Sequence, residues 1–126
     1  MNKRVLDNEH IHIEYIDGIM IGYFKEGLNI TLNVAKEIVK VRTEFFENKY
    51  YPMLIEDKGV VSMTKEARDF FSTKEGANCV TAGALLLKSV FSTYLGNFFL
   101  KVAKPITPAK IFTDKNKAIE WLQKFK

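Results

Sequence analysis

The stretch Cys79 to Leu87, CVTAGALLL, has no polar alternation. A strand with one wet face alternates apolar and polar residues. An unbroken apolar run suits a strand covered on both faces, as parallel strands are. Its purely apolar part, Ala82 to Leu87, is far too short to cross a bilayer. A strand buried on both sides needs layers above and below it, which points to an α/β sheet with helices packed on it.

The rest of the chain supplies those layers. Glu9 to Tyr15 alternates, with Ile11, Ile13 and Tyr15 on one side and His10, His12 and Glu14 on the other, a half-buried strand. Asp17-Gly18 signals a two-residue hairpin, because a type I′ turn needs positive φ at both central positions. The partner strand runs from Ile19 to Lys25. Thr31 can cap a helix from Leu32 to about Asn48, with Val34, Ile38, Val41 and Phe45 as its apolar stripe and Ala35 and Arg42 at the flanks. Pro52 to Ile55 reads as a central strand, with the proline at its start, where a missing N–H costs least. A turn, Glu56-Asp57-Lys58-Gly59, follows, and a helix starts near Thr64 and is stopped by Gly76. A further helix is expected over 90–103, ended by Pro105 and Pro108. Ala109 to Phe112 is a last strand. Thr113 is the expected cap of a terminal helix whose stripe is Ala118, Trp121, Leu122 and Phe125. The expected order is ββαβαβαβα, a mostly parallel five-stranded sheet with an N-terminal hairpin and four helices.

A chain of 126 residues fits a single domain, 1–126, long enough for its own core. A lone cysteine, Cys79, excludes an internal disulfide, and no Cys/His cluster suggests structural zinc. The N-terminal MNKRVLDNEH has no apolar core of a secretory signal, so a cytoplasmic location is expected. The net charge of +4 is uneven: residues 99–126 carry seven lysines against Asp114 and Glu120, net +5, which leaves −1 for residues 1–98. A basic segment of this kind suits a solvated face, an anionic membrane or nucleic acid. No arginine lies in it, and the bidentate base contacts of DNA readers usually need one, so a nucleic-acid partner is disfavoured.

The blocks YPMLIEDKGVVSMTKEARDFF, AGALLL, GNFFL, KP and IFTDKNKAIEWLQKF occur in that order between Tyr51 and Phe125, within a resemblance that covers about residues 9 to 125. In this the chain resembles bacterial STAS/SEC14-domain (SpoIIAA-like) proteins and, at the level of fold, anti-sigma-factor antagonists. The resemblance implies a STAS-like α/β fold and a role in binding rather than chemistry. The antagonists carry an Asp-Ser-Ser-Gly type motif in which one serine is phosphorylated by a partner kinase. Here the corresponding place reads Val61-Ser62-Met63-Thr64-Lys65-Glu66, without the flanking Asp and Gly. Ser62 and Thr64 are the hydroxyls in that neighbourhood, and Asp57 lies at the start of the same loop. Thr64 also reads as an ordinary N-cap.

No catalytic constellation emerges. Glu56 and Asp57 are adjacent and point apart, and His10 and His12 share a strand face with Glu14, a spacing that could assemble a metal site only with a third ligand from elsewhere. Cys79 reads as a small buried hydrophobe. No cofactor or enzymatic activity is expected. Two function classes fit. One is a regulatory protein-interaction module that presents the Asp57–Thr64 loop to a protein partner. The other is a small-molecule or lipid carrier with an apolar pocket by the aromatic helix 90–103. In that helix Phe91, Tyr94, Leu95, Phe98, Phe99 and Val102 span roughly 140° of the wheel, wider than the minimum core stripe. Phe91, Tyr94 and Phe98 are therefore also the expected association surface of a homodimer.

Overall fold

The computed structural model describes residues 4–88 and 107–126. The main sheet holds β1 (Arg4–Asp7), β2 (Ile11–Ile16), β3 (Ile19–Phe24), β5 (Tyr51–Glu56), β7 (Val80–Leu86) and β8 (Ala109–Phe112), in the spatial order β1-β2-β3-β5-β7-β8. A second, two-stranded sheet pairs β4 (Asn29–Ile30) with β6 (Ser62–Met63). Three helices lie among the described residues: α1 (Leu32–Phe45), α2 (Lys65–Phe71) and α3 (Lys115–Gln123).

Pairing is antiparallel for β1–β2 and β2–β3, and parallel for β3–β5, β5–β7 and β7–β8. The hairpin forms as its turn residues dictate, with Asp17 at φ 55° and Gly18 at φ 86° closing the pair Ile16↔Ile19. Pro52 lies at the register shift between Tyr51 and Pro52 on β5, a place where a ladder donor is dispensable. The apolar run occupies β7, and Cys79 just before it takes φ 70° and is buried.

The two faces of the sheet bury different sets. On one, Ile11, Ile13, Met20, Phe24, Met53 and Leu85 pack with Ala35 and Ile38 of α1 and Ala67 of α2. On the other, Ile19, Leu54, Ala82, Ala84 and Leu86 pack with Ala118 and Leu122 of α3. The crossover helices α1 and α2 thus lie on one face, as right-handed β-α-β connections running in one direction require.

Several expectations need correcting. The main sheet has six strands rather than five, because Arg4–Asp7 adds an antiparallel edge. The β4–β6 pair was also not expected. The core-facing residues of α1 are Ala35, Ile38, Val39 and Arg42, so its stripe is turned from the expected one, and Val34, Val41 and Phe45 are the flanks. Asp114, not Thr113, caps α3, its Oδ1 accepting from Asn116 N at 2.8 Å and Lys117 N at 3.3 Å. A carboxylate is also the better partner for the helix dipole. The helix expected over 90–103, with Phe91, Tyr94 and Phe98, falls outside the described residues.

Candidate functional site: the loop at the carboxyl ends of β3 and β5

In open α/β sheets ligands and partners meet the crevice outside the carboxyl ends of the parallel strands. Here that end carries Tyr23 on β3 and the segment from Glu56 on β5 to Thr64. The segment is shaped by Asp57. Its backbone N–H donates to Leu86 O at 3.0 Å, prolonging the β5–β7 ladder by one step. Its Oδ1 accepts from Gly59 N at 3.0 Å and Val60 N at 3.2 Å, and the residue is only 6% exposed. Short Asp side chains that bond the backbone two and three residues on build such turns. Gly59 takes φ 117°, which strains any residue with a Cβ.

Beyond the turn the loop is tied to the segment after β3. Gly27 N donates to Gly59 O at 2.8 Å, Val61 N to Leu28 O at 2.9 Å, and Thr64 N to Ile30 O at 3.0 Å. The parallel pair Asn29↔Ser62 and Ile30↔Met63 lies between these bonds. Met63 packs against the core beside the buried Val60. Val60 is buried in the core, whereas Val61 is 51% exposed. Ser62 Oγ donates to Asn29 Oδ1 at 2.7 Å, which ties its hydroxyl to the neighbouring strand. Thr64 is the N-cap of α2, its Oγ1 accepting from Ala67 N at 3.1 Å.

A cationic and aromatic group flanks the loop. Lys58 Nζ lies 4.6 Å from the Tyr23 ring centroid, and the opposite neighbour His12 stacks on Tyr23 with centroids 5.1 Å apart. Lys25 Nζ, after β3, donates to Asp7 Oδ1 at 2.7 Å, and His12 Nδ1 lies 3.0 Å from the same oxygen. The bond from Lys25, and next that from His12, hold the Asp7 carboxyl below its ordinary value, and Asp7 in turn raises the Lys25 ammonium.

Of the residues singled out in the sequence, Asp57, Ser62 and Thr64 do lie on one loop, but in different roles. Asp57 shapes the turn from inside, Ser62 faces the surface against Asn29, and Thr64 caps a helix. Val61, Lys58 and Asn29 were missed. The signal for Val61 was present: of two consecutive valines in an extended segment, one must point away from the core.

Arg42 is a further unanticipated feature. Only 7% exposed, it donates through Nη2 to Gly76 O at 3.0 Å and Asn78 O at 2.9 Å, while its Nε has no partner among the described residues. Burial pulls its pKa down to about 10, which still leaves it charged at neutral pH. Gly76 itself has no room for a side chain, since a Cβ there would stand 2.0 Å from Phe70 O. Arg42 therefore locks the α2–β7 connection to α1.

With two antiparallel strands added to a parallel β-α-β-α-β core and a last helix on the opposite face, the chain has a SpoIIAA-like fold. It matches the crystal structure of an uncharacterized protein from the DUF3478 family with a SpoIIAA-like fold from Shewanella loihica PV-4, with a TM-score of 0.58 and 18% identity over 93% of this chain and 98% of that one. Within that fold class the chain belongs to the family described as Domain of unknown function (DUF7793), whose model matches residues 11–126. No curated protein matches it. Among the described residues no helix is long and apolar enough to cross a membrane.

Proposed function

We propose that the protein is a non-catalytic regulatory module of STAS type, acting in the cytoplasm, that binds a protein partner through the Lys58–Thr64 surface. The observation that carries this reading is the loop's construction. Asp57 and the β4–β6 pair hold the backbone of an exposed loop in one shape, so that Val61, Lys58 and Ser62 are presented without further ordering on binding. A preformed surface avoids the conformational cost that a loose loop meets when it is captured. The SpoIIAA-like fold supports the same reading.

Ser62 is the hydroxyl best placed for control by modification. A phosphate there removes the donor that Asn29 Oδ1 now accepts and adds charge beside that acceptor, which loosens the β4–β6 edge of the loop. A phosphate on Thr64 alters the N-cap of α2 instead. Intact-mass analysis of protein from its own cells, with the site mapped by fragmentation, tests this. Modification at Ser62 or Thr64 fits the reading; modification confined elsewhere, or none under any growth condition, leaves the loop without a phosphorylation role.

Native mass spectrometry of the protein isolated from its own cells tests the partner. We expect a co-isolated protein with the unaltered chain and its loss with Val61→Asp, which changes an exposed residue and leaves the core intact. The same co-isolated protein retained by Val61→Asp excludes this surface. Self-association through Phe91, Tyr94 and Phe98 is a separate part of the proposal, and sedimentation of the Tyr94→Glu variant checks it: a dimer that becomes a monomer supports it, and an unaltered protein that is monomeric at high concentration rules it out.

A further inference from the structure

The terminal helix and the turn after it leave two aromatic residues outside the fully buried core. Ala118 and Leu122 are completely buried, whereas Trp121 and Phe125 are only partly so. Phe112 on β8 is also partly buried and completes a row: its ring centroid lies 5.7 Å from that of Trp121, which lies 4.9 Å from Phe125. The result is an aromatic ridge along the edge of the sheet where β8 meets α3.

Lysines border this ridge. Lys110 Nζ stands 5.4 Å from the Phe112 ring centroid. Lys117 and Lys124 lie four residues before and three after Trp121, the spacings that share one helix face. All three are exposed, and none forms an ion pair among the described residues. Residues 1–3 and 89–106 contain no Asp or Glu, so no side-chain carboxylate from those stretches offsets them either. Across 107–126 five lysines face only Asp114 and Glu120.

We propose that this ridge docks the protein on an anionic lipid surface, with Trp121 at headgroup level and Lys110, Lys117 and Lys124 against the lipid charges. Trp is the residue type most at home at a membrane–water boundary, where one part of the ring is dry and the N–H stays wet. Lysines around it add attraction to anionic headgroups and keep their own stems on apolar surface. A nucleic acid fits less well. There is no Arg in 107–126, and the rings pack on one another at 49° and 59° instead of presenting a flat face for bases to stack on. The ridge is built from β8, α3 and the turn after it, not from the partner loop.

Trp121 is the only tryptophan in the chain and reports on its own surroundings. Vesicles of phosphatidylcholine alone, and vesicles containing phosphatidylglycerol, are titrated into the full chain at low salt while Trp121 emission and co-sedimentation are followed. We expect binding and a blue shift only with phosphatidylglycerol, quenching by brominated lipid, and loss of binding as salt is raised. Each of Lys110→Gln, Lys117→Gln and Lys124→Gln should lower the partition constant on the order of fivefold. These positions are exposed, and circular dichroism checks that the variants stay folded. Absence of binding at low salt overturns the proposal. So does binding that leaves Trp121 emission unmoved, which places the contact elsewhere, or lysine-dependent binding of a single-stranded oligonucleotide without binding of vesicles.

Discussion

The two faces of the main sheet are built on the same strands yet are covered to different extents. One face lies under α1 and α2 and is apolar from Ile11 and Ile13 on β2 to Leu85 on β7. The other is covered by α3 only over Leu54, Ala82, Ala84 and Leu86 and the neighbouring Ile19. Further along that second face, toward β1, the side chains become Asp7, His12 and Glu14, with Val5 47% and Ile16 40% exposed. The covered face supplies stability through volume. The half-covered face supplies surface, and its alanines let one short helix sit close. Among the described residues the sheet is a platform: one side fixes the fold, and the other side is covered only in part.

Substitutions on the two faces should differ accordingly. The largest loss is expected for Phe46→Ala, a fully buried ring packed edge-on against Tyr51 with centroids 5.4 Å apart. It should cost about 4 kcal/mol in urea denaturation. Arg42→Ala leaves the carbonyls of Gly76 and Asn78 without their donor and should cost about 3 kcal/mol. Arg42 also gives a pH signature. Its folded pKa is pushed down to about 10, so between there and the ordinary guanidinium range the unfolded chain holds more protons, and this group's contribution to stability rises with pH. Loss of that alkaline rise in the Arg42→Ala variant checks the assignment.

On the half-covered face the sensitive change is an increase in size. Ala84→Leu must push α3 away from β7 and should cost about 2 kcal/mol, and a variant of unchanged stability would show that the helix is loosely seated. The smallest effect is expected at Asp7→Asn, on the open part. The Asp7 carboxyl is held below its ordinary value by Lys25 and His12, so its stabilising contribution is present above that ordinary value and lost as pH falls through the folded one. Urea midpoints measured from neutral to acid pH should therefore show a slightly shallower acid limb in the variant.

Local chemistry is legible in the residues themselves: Asp17-Gly18 as a hairpin turn, CVTAGALLL as a doubly covered strand and Thr64 as a cap. Each depends on backbone sterics or on an orphan amide a few residues away. Features that depend on distant partners are not legible in this way. Arg4–Asp7 is too short to show a period and becomes a strand only by pairing with Glu14 and His12. Asn29 and Ser62 are 33 residues apart, and their pairing has no local sign. The stripe of α1 is turned from the expected one because Arg42 counts as polar, whereas the folded chain buries it against carbonyls that its own sequence neighbours do not contain. For the loop, the sequence places Asp57, Ser62 and Thr64 together but does not show that Asp57 faces inward and Val61 outward.

The carboxyl-end loop, and not the open part of the sheet, is proposed to receive a protein partner. A photo-crosslinking residue placed at Val61, and separately at Ile16, in protein expressed in its own cells tests it most directly, because both positions are exposed and neither belongs to the core. One discrete crosslinked protein is expected from position 61 and none from position 16. Crosslinking from position 16 alone, or from neither position, would contradict it.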